Sequence, residues 1–551
     1  MTNKQRQGSS NFIVQGSILA IASVMVRLIG IVYRIPMTNI IGDEGNGYYA
    51  AAYSIYSILL LLSSYSLPVA VSKMVSARAA TGQYKNIQRI FRGSLIFASI
   101  AGGIFSLLTY FGAEFFATKI VNMPLAAIPL KFMAPTIFIM AILGVFRGYY
   151  QGMSTTIPTA FSQIIEQIVN AVVSVSAAYF LFSWGEKTDL VKNTTDYAHA
   201  WGATGGTIGT GVGALTALIF CFGVYQIYKR VLRKLIRRDR TEYLEPYSYI
   251  TKTLLFTIVP VVLSTAVYNL IDIIDNSFFS YYMKNSNAYE SYRSIWGAYN
   301  GKYLLLIHVP VAFASALAAS VVPSISKAVA QNNRGQIVEK VNTTFKYVML
   351  IAIPSAVGLG VLGNPIVKML FRGDRSEAGL YLMLGSTAVI FFSLSTVTNA
   401  ILQGINKLKI PVRNSIISLA IHIILLWFLL WQMDTGIYGV VLSYTIFGIS
   451  MCILNTLAIG KYLTYQQQFI KTYGLPFLAS AIMGVMAFFT YKGVYALISS
   501  NTISVLCAIL IAIVVYAVLI ILFGCLDEVD LYDLPKGEKF VRLAKKLHLM
   551  K

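Results

Sequence analysis

The sequence predicts an all-α polytopic membrane protein, with two six-helix lobes followed by two C-terminal helices, about fourteen transmembrane helices in all. Three observations predict it. Of 551 residues, 56% are hydrophobic and only 12% charged, with a mean hydropathy of +0.67, whereas soluble domains carry about 25% charged residues. Apolar runs of roughly 20 residues, the length that crosses a bilayer, recur along the chain. A pattern from the first half also returns in the second.

The first six expected spans lie near 12–35, 48–71, 92–112, 132–150, 158–182 and 201–228. A second six lie near 253–283, 299–326, 345–370, 379–402, 414–432 and 436–460, and two more near 475–497 and 502–524. The opening run is too long for a cleaved signal peptide and is interrupted by Arg27, so it is expected to be a retained first helix. The organisation that follows is an N-terminal lobe at 1–228, a basic cytoplasmic linker at 229–252 and a C-terminal lobe at 253–461. Helices thirteen and fourteen occupy 462–524, and a basic amphipathic cytoplasmic tail occupies 525–551.

Orientation follows from the basic residues, which concentrate in cytoplasmic loops. Lys4 and Arg6 precede the first span, and Lys73, Arg78, Lys85, Arg89 and Arg92 follow the second with no acid among them. Lys229 to Arg240 is basic after the sixth, while Ser183 to Ala200 on the other side mixes both signs. Both termini are therefore expected in the cytoplasm. The same distribution explains the formal net charge of +22 without nucleic acid. Between Tyr228 and Arg240, Val231, Leu232, Leu235 and Ile236 share one helix face, which predicts a surface-lying connector. The tail repeats the pattern with Phe540, Leu543, Leu547 and Met550.

The repeat pairs Val71-Ser72-Lys73 with Ile325-Ser326-Lys327, and Gly82-Gln83 with Gly335-Gln336. It also pairs Gln151-Gly152 before Ile157-Pro158 with Gln403-Gly404 before Ile410-Pro411. Six helices per half is an even number, so the halves share orientation, as in transporters with a cavity between lobes.

Charges inside the spans are the candidate site, because an intramembrane arginine costs roughly 3 kcal/mol and normally faces a cavity or a partner. Arg27 and Arg34 lie seven positions apart on nearly one helix face. They read either as an anion site or as a snorkelling Arg34 beside an Arg27 paired with a buried acid. Asp272 and Asp275 are helix-face neighbours, and Asn269 and Asn276 extend their stripe. They read as a Na⁺ or proton coupling site, or as counter-charges to Arg27 or Lys302. Lys302 suits a cavity or the outer interface equally. His308 reads as a packing residue or a proton relay, Glu166 and His422 as local hydrogen-bond partners, and Arg147 as a helix cap. Cys221, Cys452, Cys507 and Cys525 are scattered, so neither a metal site nor a resident cofactor is expected.

The runs Arg27-Leu28-Ile29-Gly30-Ile31-Val32-Tyr33-Arg34-Ile35-Pro36 and Ile41-Gly42-Asp43-Glu44-Gly45 resemble the start of bacterial lipid-linked oligosaccharide flippases. Leu67-Pro68-Val69-Ala70-Val71-Ser72-Lys73 and Phe146-Arg147-Gly148-Tyr149-Tyr150-Gln151-Gly152 are similar to two further signatures of that family. The family is a branch of the multidrug/oligosaccharidyl-lipid/polysaccharide exporter superfamily. Within it the chain resembles the group of Gram-positive lipid II flippases and stage V sporulation B proteins, over its whole length. The resemblance implies a fourteen-helix flippase that moves an undecaprenyl-pyrophosphate-linked glycan to the outer leaflet by alternating access. It carries the family's first-helix arginines onto Arg27 and Arg34 and an eighth-helix cation onto Lys302. It also implies a groove for the lipid tail beside the last two helices; membrane lipids are expected partners, and wall or polysaccharide synthases are partners that the sequence leaves open. The chain departs from the peptidoglycan members in having no arginine between Tyr48 and Val71.

Two rivals are a drug or cation extruder of the same fold and a polytopic glycan polymerase. Cationic residues in a low-dielectric cavity repel a cationic drug. A polymerase needs a catalytic loop, and Ser183 to Ala200 offers no convincing set, so no enzymatic activity is expected.

Overall fold

The computed structural model describes residues 3–286, 291–372, 377–463, 468–528 and 537–546, which are mostly helical with no strand among them. Among the described residues eleven helices are long and apolar enough to cross a membrane, or twelve when Ala378–Gly385 and Ala388–Gly404, bent by 55°, count as one span. One of these stretches, Ala22–Ala80, holds the second expected span and most of the first, and each of the other expected spans also falls on helical residues. The chain divides into two compact units, Met1–Gly301 and Lys302–Lys551.

The first unit runs through α1 (Asn3–Leu60), α2 (Leu67–Ala80), α3 (Tyr84–Phe115), α4 (Ala127–Gly152), α5 (Ile157–Lys192), α6 (Asp196–Arg238), α7 (Tyr247–Asn285) and the short α8 (Tyr292–Ala298). Within α1 the backbone breaks at Gly42, whose φ of 70° is open to glycine at little cost. The break frees carbonyls that helix geometry would satisfy. His199 Nδ1 lies 2.8 Å from the Ile41 carbonyl, and Asn46 Nδ2 donates to the Gly42 carbonyl at 2.7 Å. Expected spans one and two are the two arms of this broken helix.

At 43 residues α6 is about 65 Å long, twice what a hydrocarbon core needs. The basic connector is its continuation, not a separate surface-lying helix. Leu232 is buried in the unit's core with Ile236 against it, while Val231 is exposed. That apolar face is satisfied by protein before it reaches lipid. The chain then folds back along the start of α3, where the Lys85 and Thr241 backbone N–H groups donate to Asp239, each at 2.7 Å. Burial opposes ionisation of Asp239, but these donors hold its carboxyl below the usual carboxylate range. Arg78 pairs with Glu245, and Arg89 Nε donates to the Glu245 carbonyl at 2.8 Å.

The second unit contains α9 (Leu305–Ala330), α10 (Arg334–Leu370), α11 (Ala378–Gly385), α12 (Ala388–Gly404), α13 (Lys409–Trp431), α14 (Ile437–Leu463), α15 (Leu475–Ile498), α16 (Asn501–Leu522) and α17 (Gly537–Lys546). The α15–α16 hairpin packs on α10, where Leu362, Ala487 and Ala508 form a buried cluster. The tail helix α17 docks on its own unit: Val541 is buried with Leu350 and Leu526, and Lys545 pairs with Glu528 at 2.8 Å. Leu547 and Met550, part of the expected apolar face, lie outside the described residues.

The repeat is present, but its register differs from the sequence match by one helical turn. In the first unit a Cβ at Gly152 would meet the Ser72 carbonyl at 2.9 Å and also Val75. In the second, a Cβ at Gly404 would meet Ile325 at 3.0 Å and the Val322 carbonyl at 3.4 Å. Val75 therefore corresponds to Ile325, and Gly82 and Asn332 hold the same positive-φ place in the following turn. Positions four apart lie on one helix face, so a one-turn slip preserves the apolar pattern and misleads a motif match.

Candidate functional site

The first arm of α1 carries both arginines. Pro36 removes one intrahelical hydrogen bond beside Arg34 without ending the helix. Arg27 is exposed. Arg34 is half-buried, with its guanidinium carbon 5.5 Å from the centroid of the Tyr49 ring and 5.8 Å from that of Tyr53. Both distances are within the range where an aromatic face attracts a cation. Tyr49 and Tyr53 stack at 5.9 Å, and Tyr56 continues the series at 5.8 Å from Tyr53. Tyr49 and Tyr56 are buried, while Tyr53 stays 38% exposed. The sequence reading missed these tyrosines. Their spacing of four and three on one helix face was the available signal.

α7 carries the acids. Asp272 is exposed, Asn269 half-buried, Asp275 1% exposed and Asn276 fully buried. Tyr292 Oη donates to the Asn276 side-chain oxygen, Asn122 Nδ2 donates to Ser280 Oγ at 2.9 Å, and Ser277 Oγ donates to the Ile120 carbonyl at 2.9 Å. These bonds tie the C-terminal half of α7 to α8 and to the turn after α3. They leave Asp272 on an accessible surface and Asp275 inside.

At the Gly42 break α8 packs onto α1 with almost no clearance. A Cβ at Gly297 would fall on the Asp43 carbonyl oxygen, and one at Gly47 on the Arg293 carbonyl oxygen. Arg293 pairs with Asp196 at 2.6 Å and donates to Tyr48 Oη at 2.5 Å, and His199 Nε2 lies 3.6 Å from Glu44. The sequence reading missed Arg293, Asp196 and Gly297. Arg293 and Gly297 share α8, but their partners Asp196 and Asp43 are distant in the chain, so only the fold brings them together.

In the second unit Lys302 lies on a π-helical turn, Tyr299–Leu304, and is only 4% exposed, with Nζ 5.7 Å from the centroid of the Phe371 ring. It is thus buried and does not snorkel. His308 is exposed. Arg147 is not a helix cap: its Nε donates to Ser162 at 2.9 Å and its terminal nitrogen pairs with Glu166 at 2.6 Å. The sequence separation of 19 hid that pair. His422 Nδ1 lies 3.0 Å from the Ser443 carbonyl, as expected of a local partner.

Among known proteins, the profile of the polysaccharide biosynthesis protein family matches residues 13–329, and that of the MatE family matches residues 260–428. The chain is 26% identical over 494 residues to the lipid II flippase MurJ of Bacillus subtilis, covering 85% of this chain and 86% of that protein. It is 24% identical over 530 residues to stage V sporulation protein B of the same organism, covering 95% and 97%. A solved structure of lipid II flippase MurJ in an inward closed conformation superposes with a TM-score of 0.63 at 20% identity, covering 91% and 97%. An inward-facing multidrug resistance MATE family transporter gives 0.61 at 17% identity, covering 81% and 98%. These similarities establish the fold of a membrane transporter.

Proposed function

This chain belongs to the polysaccharide biosynthesis protein family, and from that premise we propose that it flips a polyprenyl-pyrophosphate-linked glycan from the cytoplasmic to the outer leaflet of a bacterial cytoplasmic membrane. The observation that carries the proposal is Arg34, held against Tyr49 and Tyr53 on a membrane-spanning helix that also bears Arg27. A pyrophosphate leaving water needs cations, and arginine answers with a permanent charge and a planar fork of donors. Two ring faces within cation–π distance favour keeping that charge beside Tyr49 and Tyr53. The prenyl tail needs no polar path, because it stays in lipid while the head crosses. Lys302, buried in the second unit, is proposed as a further substrate-binding cation, and both termini are proposed to be cytoplasmic. The named relatives' substrates, a lipid II or a related wall precursor, set the substrate class proposed here. Wall or polysaccharide synthases are proposed as partners.

The exposed Asp272, with Asp275 and Asn269, is proposed as the coupling site for Na⁺ or H⁺. Asp272→Asn is then expected to lower transport at least tenfold and to remove its dependence on the Na⁺ or pH gradient. A double-mutant cycle with Arg27→Ala separates this from charge balance. Recovery of transport in the double variant would show that Asp272 only neutralises Arg27.

MatE similarity in residues 260–428 supports cation extrusion as the second reading. The experiment that decides is transport by the purified chain in vesicles, offered a lipid-linked glycan or an organic cation. Transport of the cation alone would overturn the flippase reading.

A further inference from the structure

In the first unit, a cavity of about 650 Å³ lies between α3 and α7, next to the end of α1. The two helices run in the same direction and touch at Gly93, where an added Cβ would come within 3.0 Å of the Tyr247 ring and 3.2 Å of Ile250. Beyond that contact they leave a channel lined on one side by Gly93 to Phe105 and on the other by Tyr247 to Val262. The lining side chains are almost all hydrocarbon, and Ile96, Ile100, Leu255 and Val259 are exposed along it. From Gly93 to Phe105 the helix rises about 18 Å, close to the depth of one leaflet of a hydrocarbon core about 30 Å thick. Inside a membrane the medium that fills an apolar, laterally exposed channel is lipid chain.

The end of the channel carries charge. Arg89 lies over the Tyr247 ring at 4.6 Å, and its Nε–H is committed to the Glu245 carbonyl at 2.8 Å. One of five guanidinium donors is thereby spent on holding the group in place. Lys252 is exposed on α7 beside Thr251, which lines the channel. Cations at the mouth and hydrocarbon behind it are the complement of an anionic lipid, with phosphate outside and acyl chain within.

We propose that the groove between α3 and α7 is a binding site for an anionic phospholipid of the leaflet next to the basic loops, its acyl chain in the groove and its phosphate at Arg89. The site is separate from Arg27 and Arg34 and does not depend on what the protein transports. Seated there, the lipid fills the space into which α3 and α7 would otherwise close.

The test uses the full chain in vesicles of phosphatidylcholine containing phosphatidylglycerol with a photoreactive acyl chain, followed by peptide mapping. Labelling is expected in peptides covering residues 93–105 and 251–262. Ile100→Trp on one helix and Val259→Trp on the other should each reduce that labelling at least fivefold by filling the groove. Leu510→Trp, at an exposed position of α16, should leave it unchanged. Arg89→Gln should lower the preference for phosphatidylglycerol over phosphatidylcholine about fivefold, the scale of one basic residue at a charged membrane surface. Equal labelling by the two lipids in the parent would overturn the proposal. So would labelling of these peptides that neither tryptophan reduces. Displacement of the label by undecaprenyl pyrophosphate but not by unlabelled phosphatidylglycerol would assign the groove to the substrate's tail and overturn it as well.

Discussion

Arg34→Ala is expected to abolish flipping and to weaken binding of a polyprenyl pyrophosphate by about 2–5 kcal/mol, the usual scale for truncating one side of a buried charge pair. The structure sharpens this expectation. The Arg34 guanidinium lies 5.5 Å from the Tyr49 ring centroid and 5.8 Å from that of Tyr53, so two ring faces attract its charge to this place. Arg34→Lys keeps the charge but loses the flat, bidentate fork and should fall between parent and alanine variant. Tyr53→Leu removes one ring face and should act in the same direction as the lysine variant, by about 0.5–2 kcal/mol. Arg27→Ala should also abolish flipping, while membrane insertion of each variant should be unimpaired because an intramembrane charge has been removed. Binding is measured by titration of purified variants with undecaprenyl pyrophosphate. Parent-like binding by both alanine variants would reduce the arginines to counter-charges.

Gly297→Val is expected to prevent α8 from seating on α1. Any Cβ at this position falls on the Asp43 carbonyl oxygen, and backbone oxygen cannot be moved aside as a flexible side chain can. Overpacking usually costs about 1–3 kcal/mol and more where the obstacle is rigid. The smallest response is separation of α8 from the Gly42 break, which also pulls Arg293 from Asp196 and Tyr48. A cysteine placed at Glu44 should then react with a water-soluble maleimide at least tenfold faster than in the parent background. Unchanged reactivity together with unchanged thermal stability would show that the Gly297 contact does not hold this end of α1. Gly103→Val is the matched control, since a Cβ there meets nothing.

Much of this arrangement is legible in the sequence because membrane spans announce themselves one at a time. Each apolar run has to satisfy its own backbone hydrogen bonds, so length and hydropathy alone locate the helices. The arginines are legible for a related reason: a charge in an apolar run costs enough to signal use. What the sequence hides is whatever depends on partners distant in the chain. The aromatic clamp on Arg34 needs the broken helix to return residues 49 and 53 to its side. Arg147 reads as a cap until α5 brings Glu166 against it. The connector at 228–240 has the periodicity of a lipid-facing helix, yet its Leu232 is covered by protein. Periodicity reports that a face is apolar and does not report what covers it. The repeat shows a further limit, since Val75, the counterpart of Ile325 in the fold, shares a helix face with Val71, which matched Ile325 by sequence.

The most direct test of the central claim is reconstitution of the purified chain in vesicles loaded with a fluorescent lipid-linked glycan, its head group quenched from one side. With both orientations of the protein present, the account predicts that the protected fraction becomes accessible in a protein-dependent manner. Arg27→Ala and Arg34→Ala should each reduce the rate at least a hundredfold, and a glycan on a neutral lipid should not cross. Crossing of the neutral lipid at the same rate, or full activity in both variants, would contradict an arginine-held pyrophosphate as the basis of transport.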